Sequence, residues 1–586
     1  MVTVHGGIAE RRPAGARHLR RGPDQKRTRS DPATGRPHLG SRSFGDDDEA
    51  LEEPLLGSAA ALAAVTAASA ADLPVKKAIP VEFVRVCSAY GAGFFYIPGT
   101  DTCLRLSGRA RFEGGYQTSY ARTNGNGDTA GYRGLARINL DARTQTGYGT
   151  LRAFLRVEVA SRTGGPYAGG TSGTQQRIGN AFAALGPDQF GRAQTYVNAD
   201  KAFVQFAGLT AGRASSFFDF YAHDFEFAAA TGGSDIASTN LFAYTATLGN
   251  GFSATLSVED PTARRSAIYS PVAPTATVTN GAITSFGVTN IQAPIITTVN
   301  GVIGSTSVDV IQRNRLPDFV GVLRYDAAWG SAQVSAASHE LNVGNLALTT
   351  PLNAVAPARP SNEYGYAVQG GIKVNLPMIA AGDALYLQGA YGNGAQMYTG
   401  YCAYSGCYNQ TAATIQGQKF SQFFNDATVN PFTGRLEKSD SFTVAAAYLH
   451  YWAPEWRSAV FGSYGEMSYS ANARNAQGLA SGLLGTPGGS NAVGAPGTRF
   501  FQLSQALRDT YQFTAGANII WSPVKDLDIG VEGFYTQIGV KNGRVIDLDK
   551  DPTAYSRVGA INAGGFVRTT TADSVQQIRL RVQRDF

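Results

Sequence analysis

The chain has 586 residues, of which 69 are Gly, 11% are aromatic and only 16% are charged, with a formal net charge of +6. Soluble domains average roughly 25% charged residues, so a chain this long and this poor in charge does not read as a string of ordinary soluble domains. No apolar run of the roughly 20 residues a membrane helix needs follows residue 71, which leaves a closed β-barrel as the way to cross a bilayer with every backbone polar group paired.

Residues 1–54 have a character of their own, with Arg11, Arg12, Arg20, Arg21, Arg27 and Arg29 followed by an acidic run at 46–49. A disordered basic arm for nucleic acid is one reading of such a stretch; a mis-assigned start that leaves it outside the exported protein is the reading preferred here, so no nucleic-acid partner is expected. Residues 55–71, "LLGSAAALAAVTAASAA", have the length of a signal-peptide core and contain the small-residue pattern Ala68-Ser69-Ala70. The segment 55–70 is therefore expected to be a removable leader, although Glu52 and Glu53 stand where a positive flank is usual. Residues 71–103 then form an N-terminal periplasmic segment, and 104–586 the barrel.

The four cysteines fall in two close pairs, Cys87 with Cys103 and Cys402 with Cys407. An even count in an exported protein favours disulfides. A bridge between Cys87 and Cys103 would close a small loop before the first strand, and one between Cys402 and Cys407 would clip an exposed loop. Zinc would need four well-placed N or S ligands, and the histidines beyond the leader, His223, His339 and His450, neighbour no cysteine. No metal and no cofactor is expected.

From residue 104 the sequence alternates. In 104–113 Leu104, Leu106, Ala110 and Phe112 take one face, and Arg105, Arg109, Arg111 and Glu113 the other. In 133–143 Ala136, Ile138 and Leu140 oppose Arg133, Arg137, Asp141 and Arg143; in 151–159 Leu151, Leu155, Val157 and Val159 oppose Arg152, Arg156 and Glu158. Strand side chains point alternately to opposite faces. An arginine facing lipid at the midplane would cost roughly 2–4 kcal/mol, so the arginine face must be the lumen. Glu113, Asp141 and Glu158 share that face and are expected to pair with some of these arginines.

A soluble sandwich alternates too; the connections discriminate. Short links such as "TQTGYG" (144–149), Asn250-Gly251, "AAWG", "YWAPEW" and "SPVKDL" alternate with connections of tens of residues. Short periplasmic turns and long external loops mark outer-membrane barrels. Counted this way, with a short fifth strand near 210–217, the chain is expected to form an antiparallel transmembrane β-barrel of about sixteen strands. The Thr-, Val- and Ile-rich segment 266–308 is expected as a β-ribbon on an external loop. No G-x-S-x-G elbow accompanies the histidines, so an enzyme is not expected; an outer-membrane hydrolase, an adhesive barrel and a substrate-specific channel are the alternatives.

Three segments carry a family resemblance. Residues 71–116, "ADLPVKKAIPVEFVRVCSAYGAGFFYIPGTDTCLRLSGRARFEGGY", residues 199–221, "ADKAFVQFAGLTAGRASSFFDFY", and the terminal "QQIRLRVQRDF" resemble the alphaproteobacterial porins of the rhizobial and Brucella type. That resemblance implies a sixteen-stranded barrel, a homotrimer, and passive diffusion of small hydrophilic solutes and ions. It implies that about 217–238 is a constriction loop folded into the pore, carrying Asp219, Asp224, Glu226 and Asp235 opposite the basic wall. The final strand ending on Phe586 resembles the signal read by outer-membrane assembly machinery. Arginines at the rim are expected to meet phosphates of the surrounding lipid and lipopolysaccharide.

Overall fold

The computed structural model describes residues 85–118, 129–164, 194–236, 238–266, 268–271, 275–279, 282–287, 292–344, 362–401, 413–414, 419–485 and 491–586. The extension and leader expected over 1–70 lie outside the described residues.

Sixteen antiparallel barrel strands follow in chain order among the described residues: β1 Cys103–Gln117, β2 Ala130–Thr146, β3 Gly149–Gly164, β4 Gln194–Phe206, β5 Leu209–Ala214, β6 Thr239–Gly249, β7 Phe252–Glu259 and β8 Asp318–Ala327; then β9 Gly330–Leu341, β10 Glu363–Asn375, β11 Ala384–Asn393, β12 Asp440–Ala453, β13 Trp456–Ser468, β14 Thr510–Val524, β15 Leu527–Val540 and β16 Ala572–Asp585. Each pairs with its neighbour, and β1 pairs with β16 from Arg109↔Asp585 to Gln117↔Gln577, so the sheet closes. Closure removes the edges that an open sheet would expose.

The two-residue strand Phe95–Tyr96 adds to the start of β1, where Cys87 and Cys103 are disulfide-bonded with Cα atoms 5.9 Å apart. That is the disulfide found among the described residues. The second bridge, expected between Cys402 and Cys407, is not among them: both Cys402 and Cys407 lie outside the described residues.

The outer face is apolar because the alternation puts it there. Leu106, Ile138, Leu256, Leu323, Val334, Val444, Val460, Ile519 and Ile578 are all exposed, Leu256 by 76%. All four tryptophans, Trp329, Trp452, Trp456 and Trp521, are exposed at the short-turn end, with Trp456 and Trp521 stacked at 5.9 Å. Trp and Tyr collect where a membrane meets water.

Short turns join the strands at that end. Asn250 and Gly251 both take positive φ, 51° and 87°, as a two-residue hairpin turn requires. At the other end, external loops pack on one another through Ile268, Ile295, Val308, Val429 and Leu436, and through Tyr269, Phe423, Val493 and Leu507. The expected ribbon is two hairpins, Thr275–Thr279 with Ala282–Gly287 and Gln292–Val299 with Val302–Asp309.

The fifth strand stops at Ala214 and not near 217. Glu259 at the end of β7 accepts from the Ser216 hydroxyl at 2.7 Å and the Phe217 amide at 3.1 Å. The chain is thereby captured on the inner wall and enters the lumen early.

Candidate functional site: the pore constriction

After Ala214 the third loop runs inside the barrel until Ser238, and inward side chains from successive strands meet its backbone. The Phe218 carbonyl accepts from Gln333 and Ser335 of β9 (3.3 and 2.9 Å) and from Gln369 of β10 (2.8 Å). The Tyr221 amide donates to Gln388 of β11 at 2.9 Å, and the Gly232 amide to Ser463 of β13 at 2.7 Å. At the tip, the Phe227 and Ala228 amides donate to Glu532 of β15 at 2.5 and 2.8 Å, while Arg581 of β16 donates to the Phe227 carbonyl at 2.8 Å. The loop therefore lies against β7–β16 and leaves the inner face of β1–β4 opposite it.

The four loop carboxylates have unlike environments. The Asp219 carboxylate, 6% exposed, accepts from the Ile236 amide (2.6 Å), from Arg264 (2.7 Å) and from the Ser234 hydroxyl. Glu226 is buried, and accepts from the Ala230 and Thr231 amides (2.8 and 3.1 Å) and the Tyr221 hydroxyl (3.1 Å). Asp224 is exposed and accepts from the Tyr386 hydroxyl at 3.0 Å. Burial, reinforced by Asp219, pushes Asp235 up to about 6 against the pull of His223. His223 is buried, which alone would lower it, yet the Glu226 carboxylate 3.2 Å away outweighs burial and raises it to about 9.

On the facing wall the charged residues of β1–β4 are Arg105, Arg109, Arg111, Arg133, Arg137, Arg143, Arg152, Arg156, Arg162 and Lys201 against Glu113, Asp141, Glu158 and Asp200. Arg109 meets Asp585 at 2.6 Å, Arg137 meets Glu158 at 2.6 Å, and Arg156 meets Asp200 at 3.3 Å. Arg143 and Arg152 share Asp141 at 2.8 and 2.9 Å. Glu113, wholly buried, is ringed by Arg133, by Arg581 at 2.6 Å and by Arg111 at 3.8 Å. Arg105 makes no ion pair among the described residues. Ten cations against four carboxylates leave the wall strongly positive despite the pairing.

A sequence profile described as the porin subfamily matches residues 72–561. The chain belongs to the porin family. Porin Omp2b of Brucella suis is 36% identical over 222 residues, which are 36% of this chain and 54% of the relative; the Brucella canis counterpart is 35% identical with the same shares. The chain thus spans about half the length of the curated relatives it matches. Among solved structures, the match to the outer membrane channel DcaP of Acinetobacter baumannii covers 84% of this chain and 99% of that one, at 13% identity and a TM-score of 0.45. The match to an anion-selective porin from Comamonas acidovorans covers 83% and 100%, at 12% identity and a TM-score of 0.36. Porin family membership, with the closed barrel and its apolar outer belt, places the protein in the outer membrane as an integral β-barrel.

Several residues of this porin constriction carry no motif and escape sequence reasoning. Arg264, buried in the fourth loop, donates to Ser216 at 2.8 Å as well as to Asp219 and Ser234, and so pins the third loop. A β-bulge in β4, opposite Arg156 and Val157, turns both Asp200 and Lys201 inward, and Lys201 donates to Ser215 at 2.5 Å. A bulge re-aims side chains that strict alternation would put on opposite faces. Phe154 and Phe203 also face the lumen, as register partners of inward residues; the phase of β3 contained that signal for Phe154.

Proposed function

We propose that this chain forms a water-filled passive diffusion channel for small hydrophilic solutes and ions, with a preference for anions. The observation that carries the reading is the third loop lying inside a closed barrel opposite a wall of ten cations and four carboxylates. Fixed charges on a low-dielectric wall focus potential across a narrow aqueous path. Among the loop carboxylates, Asp224 and Asp235 set the opposing negative side, while Asp219 and Glu226 hold the loop's shape. The resulting transverse field orders water and disfavours apolar solutes. Reversal potentials in planar bilayers under a potassium chloride gradient test the reading: chloride should outrun potassium, and a cation-selective or non-conducting barrel would overturn it. Arg105→Gln removes a charge without orphaning a carboxylate, so it should lower the chloride preference and leave stability within about 0.5 kcal/mol.

The working unit is a homotrimer in this proposal. What supports it is a shallow, largely apolar hollow of about 620 Å³ on β16 and β1–β3, lined in part by outward-facing Ala110, Phe112, Gly134, Ala136, Ser161 and Val582. Three-step closures of single channels and a trimer mass in native mass spectrometry are the expected outcomes. The leader 55–70 is removed on export; a mature amino terminus near Ala71 should appear on terminal sequencing. Cys402 and Cys407 clip their loop with a second disulfide, the close spacing and the oxidising compartment being what supports it. Non-reducing peptide mapping should recover Cys402 and Cys407 in one linked peptide, and alkylation of either thiol would sink the clip.

A further inference from the structure

We propose that Phe154 and Phe203, with Arg152 and Arg156, form a binding subsite on the pore wall for planar aromatic carboxylates. The inference rests on the channel reading and sharpens it from general anion preference to a class of anion.

Phe154 of β3 and Phe203 of β4 are register partners, and their rings stack at 5.3 Å with an interplanar angle of 28°. Both are half-buried on the inward face that also carries Arg152, Arg156 and Lys201. Leaving aromatic carbon against a water column forgoes part of its transfer free energy, and local rules are broken most often where function requires it. Phe203 also leans on the cluster of Ala214, Leu241 and Ala243, so the ring pair extends an apolar shelf along the wall.

Two guanidinium groups flank that shelf. Arg152 lies 5.0 Å from the Phe154 centroid and 5.5 Å from that of Phe203, and Arg156 lies 5.5 Å from Phe154. Arg152 is fixed by Asp141 and by Gln205 at 3.0 Å; Arg156 by Asn139 at 2.9 Å and Asp200. The Arg156 Nη2 group donates to no side chain or backbone group among the described residues and is left for a solute oxygen. A planar guanidinium held in place accepts a π-face on one side and a carboxylate at its edge. Lys201, the register partner of Arg156, donates to Ser215, the first residue of the third loop. Phe203 follows Lys201 by two residues toward the short turn that joins Phe206 and Leu209, so the subsite begins at the height where the third loop leaves the wall and extends to its periplasmic side. An arene with one carboxylate satisfies both halves of this surface; acetate satisfies only the charge.

Chloride current through the full-length channel in planar bilayers, titrated with benzoate, cyclohexanecarboxylate or acetate, tests the proposal. Benzoate should block at the lowest concentration and acetate at the highest. The double variant Phe154→Leu with Phe203→Leu, every charge kept, should weaken benzoate block about fivefold relative to acetate block measured in the same channel. Arg156→Gln should weaken block by all three anions. Should the double variant not insert, Phe154→Leu alone carries the same comparison. Benzoate block no stronger than acetate block, or an unchanged benzoate-to-acetate ratio in the leucine variant, would overturn the subsite and leave the channel reading intact. A parent protein without conductance would instead remove the channel reading.

Discussion

Arg264 shows how one side chain from a neighbouring loop can brace the pore constriction. Its guanidinium is buried beneath Tyr398, 4.3 Å from the ring, and joins Ser216, Ser234 and Asp219 of the third loop. Arg264→Met would leave Asp219 as a buried carboxylate without its cation, a loss of about 3–5 kcal/mol, and the two ends of the loop around Ser216 and Ser234 should loosen. Single-channel records should then show larger and noisier open currents; quiet currents of parental size would count against the pin. Asp235 brings a pH response at the same scale. Its folded value near 6 lies above the ordinary 3.8, so folding favours the protonated acid; that contribution is complete below about 4 and lost as pH rises through 6. Going from pH 7.5 to 5 removes one negative charge from the loop, and chloride preference should rise. Asp235→Asn should flatten that response, as read from reversal potentials at the two pH values. These residues differ in how legible they were. The arginines of β1–β3 could be placed from period two and the lipid penalty alone. Arg264 sits in a loop with no period, and its partners lie 30 to 48 positions away, so no local signal marks it.

Strands and turns were the most readable level, because each has a local cause. Asn250-Gly251 announces a hairpin by backbone preference, and the arginine phase announces which side is wet. What the local pattern lacked was the tertiary capture by Glu259 that ends β5 early, and the bulge that turns Asp200 inward beside Lys201. The closing seam between β1 and β16 hinges on Gly108. Its amide donates to the Phe586 carbonyl at 2.8 Å, and a Cβ there would run into the Phe586 ring and lie 2.7 Å from the Arg137 carbonyl. Gly108→Val should therefore strain the seam by about 1–3 kcal/mol; a lower temperature for the gel-mobility shift on heating is the expected result. Arg584, which interrupts the apolar face of β16 in the sequence, bends to the Lys525 carbonyl in the adjacent turn. The break in the pattern thus falls at the water interface, where a long cation can snorkel.

At the scale of the whole molecule, the wall charges act together, and salt discriminates that from a local site. The Debye length falls from about 10 Å at 0.1 M to about 3 Å at 1 M. The chloride preference should shrink several-fold over that range, whereas benzoate block through ring contact should shrink less. Reversal potentials at matched gradients around the two mean concentrations measure both. The external layer was hardest to read: Ile268, Ile295, Val429 and Leu436 come from two loops and find one another only once the barrel has set their ends.

The placement of all four tryptophans at the short-turn end makes the intrinsic fluorescence of this barrel a reporter on one side of the bilayer. With excitation at a wavelength that only tryptophan absorbs, every emitting ring sits at the periplasmic leaflet and none at the outer one. Brominated lipid confined to the periplasmic leaflet of an asymmetric vesicle should quench the emission strongly, and the same lipid in the opposite leaflet should leave it nearly unchanged. The protein would then read out its own insertion direction and the composition of the leaflet it touches, without any added label.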